Sequence, residues 1–136
     1  MRFDIHPFKT DEEARVWGRD KIDTAAGEAR ARYITTVQGQ DATYKAKYDD
    51  ARAYVTAGYP QDVTGFPWVR AESTETGMSP KDTADRIKTI GDTWNNVIGP
   101  NIEGARIAGK DTLTSISTVP TIVSHVAAVT AKLNNF

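Results

Sequence analysis

The sequence predicts a mainly α-helical fold, and three observations lead to that prediction. Apolar residues recur at steps of three and four along most of the chain, which is the period of an α-helix. Start signals of Ser, Thr and Pro precede these periodic stretches, and Gly and Pro follow them. Residues 112–130 are rich in β-branched side chains, so a strand there is the alternative.

Length and composition limit the classes of protein that the chain can belong to. Its 136 residues suffice for one domain with a single core. The lack of cysteine excludes a disulfide scaffold, a thiolate metal site and a cysteine nucleophile. A net charge of −1 argues against general nucleic-acid binding, and no apolar run has the length of a secretory signal or a membrane span. We therefore expect no nucleic-acid partner and no membrane.

The N-terminus predicts a short extended arm over residues 1–9, followed by a helix. Phe3 and Ile5 alternate with polar residues, and a proline ends this pattern. Thr10 and Glu13 have the spacing of a capping box, in which the two side chains satisfy backbone N–H groups at a helix start.

The next prediction is a long helix over residues 10–58. Its apolar stripe stays in phase across Gly39, and Gly58 followed by Pro60 is a strong stop signal. A continuous helix would be about 70 Å long, whereas a compact domain of this size is about 35–40 Å across. Either the helix stays whole and other chains cover it, which the phase of the stripe favours, or it breaks at Gly39 into a helical hairpin.

The remaining residues predict a connector and a kinked pair of C-terminal helices within the same single domain. The connector, 59–79, contains a short helix that begins at Pro67. The C-terminal region, 80–136, begins with Ser79 as N-cap, and Pro100 predicts a kink or break near Gly99. Ser117 or Thr118 caps a last helix.

Candidate catalytic and metal-binding groups are weak. Residues 104–110 match G-x-x-x-x-G-K, but Asp111 stands where a phosphate loop needs Ser or Thr, and the surrounding pattern is helical. His6 and His125 are far apart and have no metal-ligand spacing. We therefore expect no catalytic residue, no cofactor and no metal ion.

The distribution of charge points instead to packing surfaces. Residues 1–58 contain ten basic and ten acidic side chains, whereas residues 112–136 contain Lys132 alone. Such an uncharged segment is buried either in the core or by a partner. Large apolar side chains and the face over 119–133 are the predicted anchors for neighbouring proteins. They are Trp17, Tyr33, Tyr44, Phe66, Trp68, Val119, Ile122, Val126 and Leu133.

A family resemblance covers about half of the chain, from Tyr44 to about Ile116. The pattern consists of a tyrosine- and alanine-rich helix, a Gly-Pro connector, an E-x4-G-x-[ST] element, an A-x2-I-x6-W stripe and an I-E-x2-R-x3-K end. It resembles small helical proteins in the tail-gene clusters of bacteriophages with contractile or flexible tails. The residues that carry it are Tyr44, Tyr48, Ala51, Ala53, Tyr54, Glu72, Gly77, Ser79, Ala84, Ile87, Trp94, Ile102, Glu103, Arg106 and Lys110.

The resemblance implies a non-enzymatic structural component of a phage tail or baseplate, which joins larger virion proteins such as tail fibres. Such a protein is made in the host cytoplasm, resides in the virion and has other virion proteins and its own copies as partners. The alternative is a tail fibre assembly chaperone that is absent from the mature particle. A third hypothesis, a small ligand-binding bundle or enzyme, requires a concave pocket with convergent polar groups.

Overall fold

The computed structural model describes residues 8–34 and 40–136, and within these ranges every regular element is a helix. The mainly α-helical fold is confirmed, and the strand alternative over 112–130 is wrong. In chain order the helices are α1 Asp11–Ala31, α2 Gln40–Thr56, α3 Pro67–Thr76, α4 Pro80–Thr93, α5 Gly99–Leu113 and α6 Val119–Asn134, with a π-helical turn Trp94–Ile98 between α4 and α5.

The single continuous helix predicted over residues 10–58 is wrong. α1 ends at Ala31, and Arg32 and Tyr33 form a turn. Residues 1–7 of the predicted arm and Gly39, the predicted break, lie outside the described residues. The apolar stripe gave a wrong prediction because two separate helices can have stripes in the same helical phase. α1 buries its stripe in one compact unit of the chain, and α2 buries its stripe in a second.

The chain divides into two compact units, where the sequence predicts a single domain. Unit 1 is formed by the chain up to Tyr33 together with Ile98–Phe136, and it contains α1, α5 and α6. Unit 2 is Ile34–Val97, and it contains α2, α3 and α4. Each unit is therefore a group of three helices with a core of its own.

In unit 1, α1 packs on both α5 and α6, and these two helices also pack on each other. The contact face of α1 is mostly alanine, so the helix axes can approach closely. Complete burial of each larger apolar side chain contributes about 1.5–3 kcal/mol. The buried side chains are Ala14, Ile22, Ala25, Ala26, Ala29, Ile102, Leu113, Ile122, Val126 and Leu133.

Arg15 of α1 and Arg32, directly after α1, hydrogen-bond carbonyl groups at or just beyond the C-terminal ends of the other two helices. Arg15 donates from Nε to the Leu113 carbonyl at 3.0 Å and from Nη2 to the Ile116 carbonyl at 2.9 Å. Arg32 donates from Nη2 to the Leu133 carbonyl at 2.8 Å. The last carbonyls of a helix have no intrahelical donor and carry the negative end of its dipole, so a guanidinium there is doubly favourable.

The helix starts in unit 1 use the hydroxyls that the sequence predicts. Thr10 Oγ1 accepts from the Glu13 N–H at 3.1 Å, and the Glu13 carboxylate accepts from the Lys9 N–H at 2.8 Å. Thr118 caps α6 by accepting from the Thr121 N–H at 3.4 Å. Thr118 also has a φ of 76°, a conformation that favours glycine and is strained for a β-branched residue.

In unit 2, both α3 and α4 pack on α2, and they also pack on each other. The buried cluster is Ala51, Tyr54, Val69, Ala84 and Ile87. The Tyr54 hydroxyl donates to the Pro60 carbonyl at 2.8 Å, so the buried ring keeps its polar end satisfied. Val55, Tyr59, Val63 and Phe66 extend the cluster as partly buried side chains.

The predicted end of α2, both ends of α3 and the start of α4 are confirmed. Gly58 and Tyr59 both have positive φ, and their N–H groups donate to the Val55 and Tyr54 carbonyls as in a Schellman cap. Gly77 ends α3 with a φ of 77°, and Ser79 begins α4 by accepting from the Asp82 N–H at 3.1 Å. α3 begins at Pro67 as predicted. The residue before it, Phe66, has no polar side-chain atom with which to cap the helix.

The missing cap of α3 is supplied by α2. Asp50 Oδ2 accepts from the Val69 N–H at 2.9 Å, at the third residue of α3. A carboxylate there satisfies a backbone donor that has no intrahelical acceptor, and it lies at the positive end of the helix dipole. Asp50 follows Asp49 directly, and such adjacent acidic residues of a helix usually lie on solvated faces, so the sequence did not predict this capping interaction between helices.

The irregularity that Pro100 causes lies one turn earlier than the predicted position near Gly99. The chain stays helical from Pro80 to Leu113, so there is no break, but Trp94–Ile98 is a π turn. Proline has no N–H to donate to the Asn96 carbonyl, and its ring crowds that carbonyl. Widening of the preceding turn relieves the crowding, and π turns are a recognised cause of irregularity in helices.

The Arg15 hydrogen bonds should contribute measurably to the stability of unit 1. We expect Arg15→Met to lower the free energy of unfolding by about 2 kcal/mol, because two carbonyls lose a charged donor. Urea unfolding followed by circular dichroism measures the change. Arg19→Met is the matched control, since Arg19 of the same helix contacts Glu12 at 3.4 Å and hydrogen-bonds no carbonyl among residues 8–34 and 40–136. Equal losses in both variants would contradict the capping role.

Gly91 of α4 lies against the ring of Tyr48, and a methyl group added at Gly91 would overlap that ring. We expect Gly91→Ala to destabilise the chain by about 2 kcal/mol, because overpacking outweighs the gain in helix propensity. Gly104→Ala is the control, since nothing lies within 4 Å of the added methyl group. The control should stabilise the chain by about 1 kcal/mol or less. A neutral Gly91→Ala variant in the same unfolding assay would refute the close contact.

Candidate functional site

The predicted anchors on α6 belong to the core of unit 1. Ile122, Val126 and Leu133 are at most 2% exposed, and α1 and α5 cover them. Their assignment as contacts for a partner is therefore wrong, because the chain itself supplies the cover that the uncharged C-terminal segment needs. Val119, at the start of the helix, is half-buried.

The two aromatic anchors of unit 1 differ in exposure. Trp17 is half-buried, and its ring centroid lies 5.0 Å from that of Phe8. Tyr33, in the turn after α1, is 43% exposed. Trp17 thus serves the packing of α1, whereas Tyr33 remains accessible to another protein.

In unit 2, the anchors Tyr44 and Phe66 are half-buried and Trp68 is exposed. The Phe66 ring packs edge-on against Tyr54 with centroids 5.1 Å apart, so Phe66 contributes to the core as well. Trp68 is 42% exposed on α3. An exposed tryptophan is a common anchor of protein interfaces.

A surface that the sequence did not single out lies at the end of unit 2. Ile90 is 63% exposed, Val97 is 52% exposed, and Thr93 between them is also exposed. Their spacing of three and four residues places them along one side of the helical segment. We call Ile90, Thr93 and Val97 the apolar strip. The helical period of the sequence predicts a buried stripe that contains Ile90 or Gly91 and also Val97. The structure turns Gly91 toward Tyr48 and leaves Ile90 and Val97 in solvent, so the prediction is wrong for Val97.

The central polar group of unit 2 is Glu72 of α3, which bridges two other helices. Its carboxylate pairs with Lys47 of α2 at 2.5 Å and with Arg86 of α4 at 3.1 Å. Burial alone would raise the pKa of Glu72, but hydrogen bonds and charges from Lys47 and Arg86 outweigh burial and lower the pKa. The group therefore stays ionised and acts as a junction of three helices.

Two further clusters repeat one arrangement along α4. Asp85 pairs with Lys81 and accepts from the Tyr59 hydroxyl at 2.6 Å. Seven residues later, Asp92 pairs with Lys88 and accepts from the Tyr48 hydroxyl at 2.5 Å. Hydrogen bonding to the carboxylates raises the pKa of both tyrosines and lowers the pKa of both aspartates. Each phenol is thus held protonated, which suits positioning of a helix and not nucleophilic chemistry.

The G-x-x-x-x-G-K sequence lies inside α5 and is used for packing. A methyl group at Gly109 would lie 2.7 Å from the Val129 side chain, so glycine permits the approach of α6. Lys110 pairs with Asp23 of α1 at 3.0 Å, and Arg106 reaches the same carboxylate at 2.9 Å. The interpretation as a packing helix is confirmed for Gly109, whereas Gly104 faces open space.

Other classes of site have little support in the described ranges. Among residues 8–34 and 40–136, no group of three His, Asp or Glu side chains could hold a metal ion. No helix in the same ranges is long and apolar enough to cross a membrane. His6 lies outside the described residues, and His125 lies on α6.

No protein-family model matches the chain, and no curated protein and no solved structure matches it either.

The lowered pKa of Glu72 predicts a loss of stability in acid. The folded-state pKa lies below that of the unfolded chain, so the contribution of Glu72 is present above the unfolded pKa and is lost as pH falls through the folded one. We expect Glu72→Gln to destabilise the chain by about 1–2 kcal/mol at neutral pH, through the loss of two ion pairs.

The difference between the original chain and Glu72→Gln should vanish as the pH falls through the folded pKa of Glu72. Urea unfolding at a series of pH values measures it. Glu75→Gln is the control, since Glu75 lies on the same helix and is exposed. A difference that stays constant with pH would show that Glu72 stabilises unit 2 by some means other than its charge.

Proposed function

We propose that the chain is a non-enzymatic structural component of a bacteriophage tail or baseplate that joins larger virion proteins, such as tail fibres. The observation that carries this proposal is the apolar strip of unit 2. Large apolar side chains that recur along one exposed side of a helix are costly in water and favour contact with another protein. The identity of the assembly rests on the family resemblance.

The residues that carry the resemblance support a scaffold role, because in this chain they build and connect helices. Ala51, Tyr54, Ala84 and Ile87 are buried together in unit 2. The E-x4-G-x-[ST] element consists of the three-helix junction, the end of α3 and the start of α4. The pattern therefore defines a way of packing helices, with exposed Trp68 and the apolar strip as the surface that such packing offers.

Mass spectrometry of purified phage particles tests the proposal. We expect the chain at a fixed ratio to the tail proteins in particles of the phage that encodes it. Presence in infected cells together with absence from particles would instead favour the tail fibre assembly chaperone. Absence from particles, combined with normal tails after deletion of the gene, would overturn both functions.

Variants of the strip extend the test to the surface itself. We expect the double variant Ile90→Ser, Val97→Ser to fold normally and to be incorporated into particles at least about tenfold less, because an interface loses two apolar anchors. Val16→Ser is the matched control, since Val16 is a 59% exposed apolar residue on α1 outside the strip. Equal incorporation of both variants would exclude the strip as the contact surface.

A further inference from the structure

A shallow cavity on the outer side of α6 has features of a ligand site. Its volume is about 530 Å³, and it opens to solvent. Four of its residues lie at spacings of three, one and three along α6, so they share one helix face, and Ile116 before the helix also lines the cavity. The lining residues are Ile116, Pro120, Thr121, Ser124, His125 and Ala128.

His125 has a fixed orientation in this cavity. Its Nε2 lies 2.8 Å from the Gly109 carbonyl oxygen of α5. A carbonyl oxygen can only accept, so Nε2 carries the hydrogen, and in the neutral ring Nδ1 is left as an acceptor. Nδ1 has no hydrogen-bond partner in the part of the chain that the structure describes. A backbone carbonyl that fixes the tautomer of a histidine is the arrangement by which proteins prepare the other nitrogen for a ligand.

The remaining lining groups complement this acceptor. Ser124, directly before His125, makes no hydrogen bond to any residue in 8–34 or 40–136. The Thr121 hydroxyl is already bonded to the Thr118 hydroxyl at 2.8 Å. Ile116, Pro120 and Ala128 supply apolar surface. His125 and Ser124 both line the cavity, so the lining includes one nitrogen acceptor, one hydroxyl on the adjacent residue and apolar side chains.

The lining also decides the charge of a ligand. None of the six residues has a formal charge when His125 is neutral. A carboxylate or phosphate would meet the lone pair of Nδ1, and the guanidinium beside Ile116, that of Arg15, already donates to the Leu113 and Ile116 carbonyls. A cation would lose water without gaining a carboxylate from the lining. Complementarity therefore selects a neutral group that donates a hydrogen bond.

We propose that this cavity binds a neutral ligand with a hydroxyl group on a compact apolar body, that is, an alcohol or a phenol. Its O–H donates to Nδ1 of His125, and its oxygen accepts from the Ser124 hydroxyl. A free small molecule and a tyrosine side chain of another protein share this chemistry. The inference goes beyond the structural role in a phage tail and does not depend on it.

Phenol is the probe for the test, with NMR of the ¹⁵N-labelled imidazole of His125 as the readout. A His6→Gln background leaves His125 as the sole histidine of the chain. We expect saturable shifts of the His125 nitrogen signals at millimolar phenol. Anisole, which lacks the O–H, should bind about fivefold more weakly, as expected for the loss of one hydrogen bond. Non-saturable shifts, or equal binding of phenol and anisole, would overturn the proposal.

Two alanine variants locate the site. Ala128 lines the cavity, whereas Ala127 is an exposed neighbour that does not. Leucine has a helix propensity close to that of alanine, so both Ala128→Leu and Ala127→Leu should fold. We expect Ala128→Leu to weaken phenol binding at least about tenfold by filling the cavity, and Ala127→Leu to leave it unchanged. The same loss in both variants would refute this location.

A comparison of two ligands distinguishes the sources of the hydroxyl. N-acetyl-tyrosinamide presents the phenol as it occurs in a protein chain, with an amide on each side. Binding at least as tight as that of phenol would support a tyrosine of a partner protein. Exclusion of N-acetyl-tyrosinamide, with phenol still bound, would support a free small molecule.

Discussion

Arg15 of α1 and Arg32, directly after it, hold unit 1 together, because they hydrogen-bond carbonyls at the ends of both helices that pack on α1. Arg15 reaches the carbonyls at the end of α5, and Arg32 reaches those at the end of α6. An exposed helix end can use water, but a short helix in a small core gains more from a donor that also fixes its position. The alanine-rich face between the two arginines then brings α5 and α6 close enough for this reach. The small side chains of α1 thus permit close packing, and the two long arginine side chains fix the ends of the neighbouring helices.

In unit 2, acidic side chains satisfy a helix end and connect the helices. Asp50 of α2 caps the start of α3, and Glu72 of α3 returns to α2 through Lys47. Such contacts contribute more to the stability of the fold than a surface ion pair does, because the partners are partly buried and lie on different helices. Unit 2 contains nine acidic and seven basic side chains, and five of the basic ones pair with a carboxylate. Electrostatics here sets the arrangement of helices and leaves few charges for a ligand.

Local signals in the sequence predicted the ends of helices well. Thr10, Ser79 and Thr118 cap as expected, and Gly58 and Gly77 end their helices, because each signal acts within one turn of its own chain. Interactions between distant residues were less predictable. The roles of Arg15 and Asp50 depend on which helix lies beside them, and a solvated charge and a cap look alike in a sequence.

The candidate site shows the same limit. Periodicity correctly placed Ile122, Val126 and Leu133 on one face of α6, yet it could not tell whether the chain or a partner covers that face. The helical period could not distinguish Ile90 from Gly91 as the buried residue. The ring of Tyr48 packs where a side chain at position 91 would lie, so the buried residue is the glycine. The orientation of His125 was equally hidden, since it depends on a carbonyl sixteen residues away.

The placement of the tryptophans has an experimental consequence. Trp17 belongs to unit 1, whereas Trp68 and Trp94 belong to unit 2. Indole emission shifts to longer wavelength when the ring becomes solvated, and phenylalanine is a close replacement in shape. A chain that keeps Trp17 alone therefore gives a fluorescence signal from a half-buried ring of unit 1, and a chain that keeps Trp94 alone gives one from a half-buried ring of unit 2. The order in which the two cores lose their structure can be followed without adding a dye or a label.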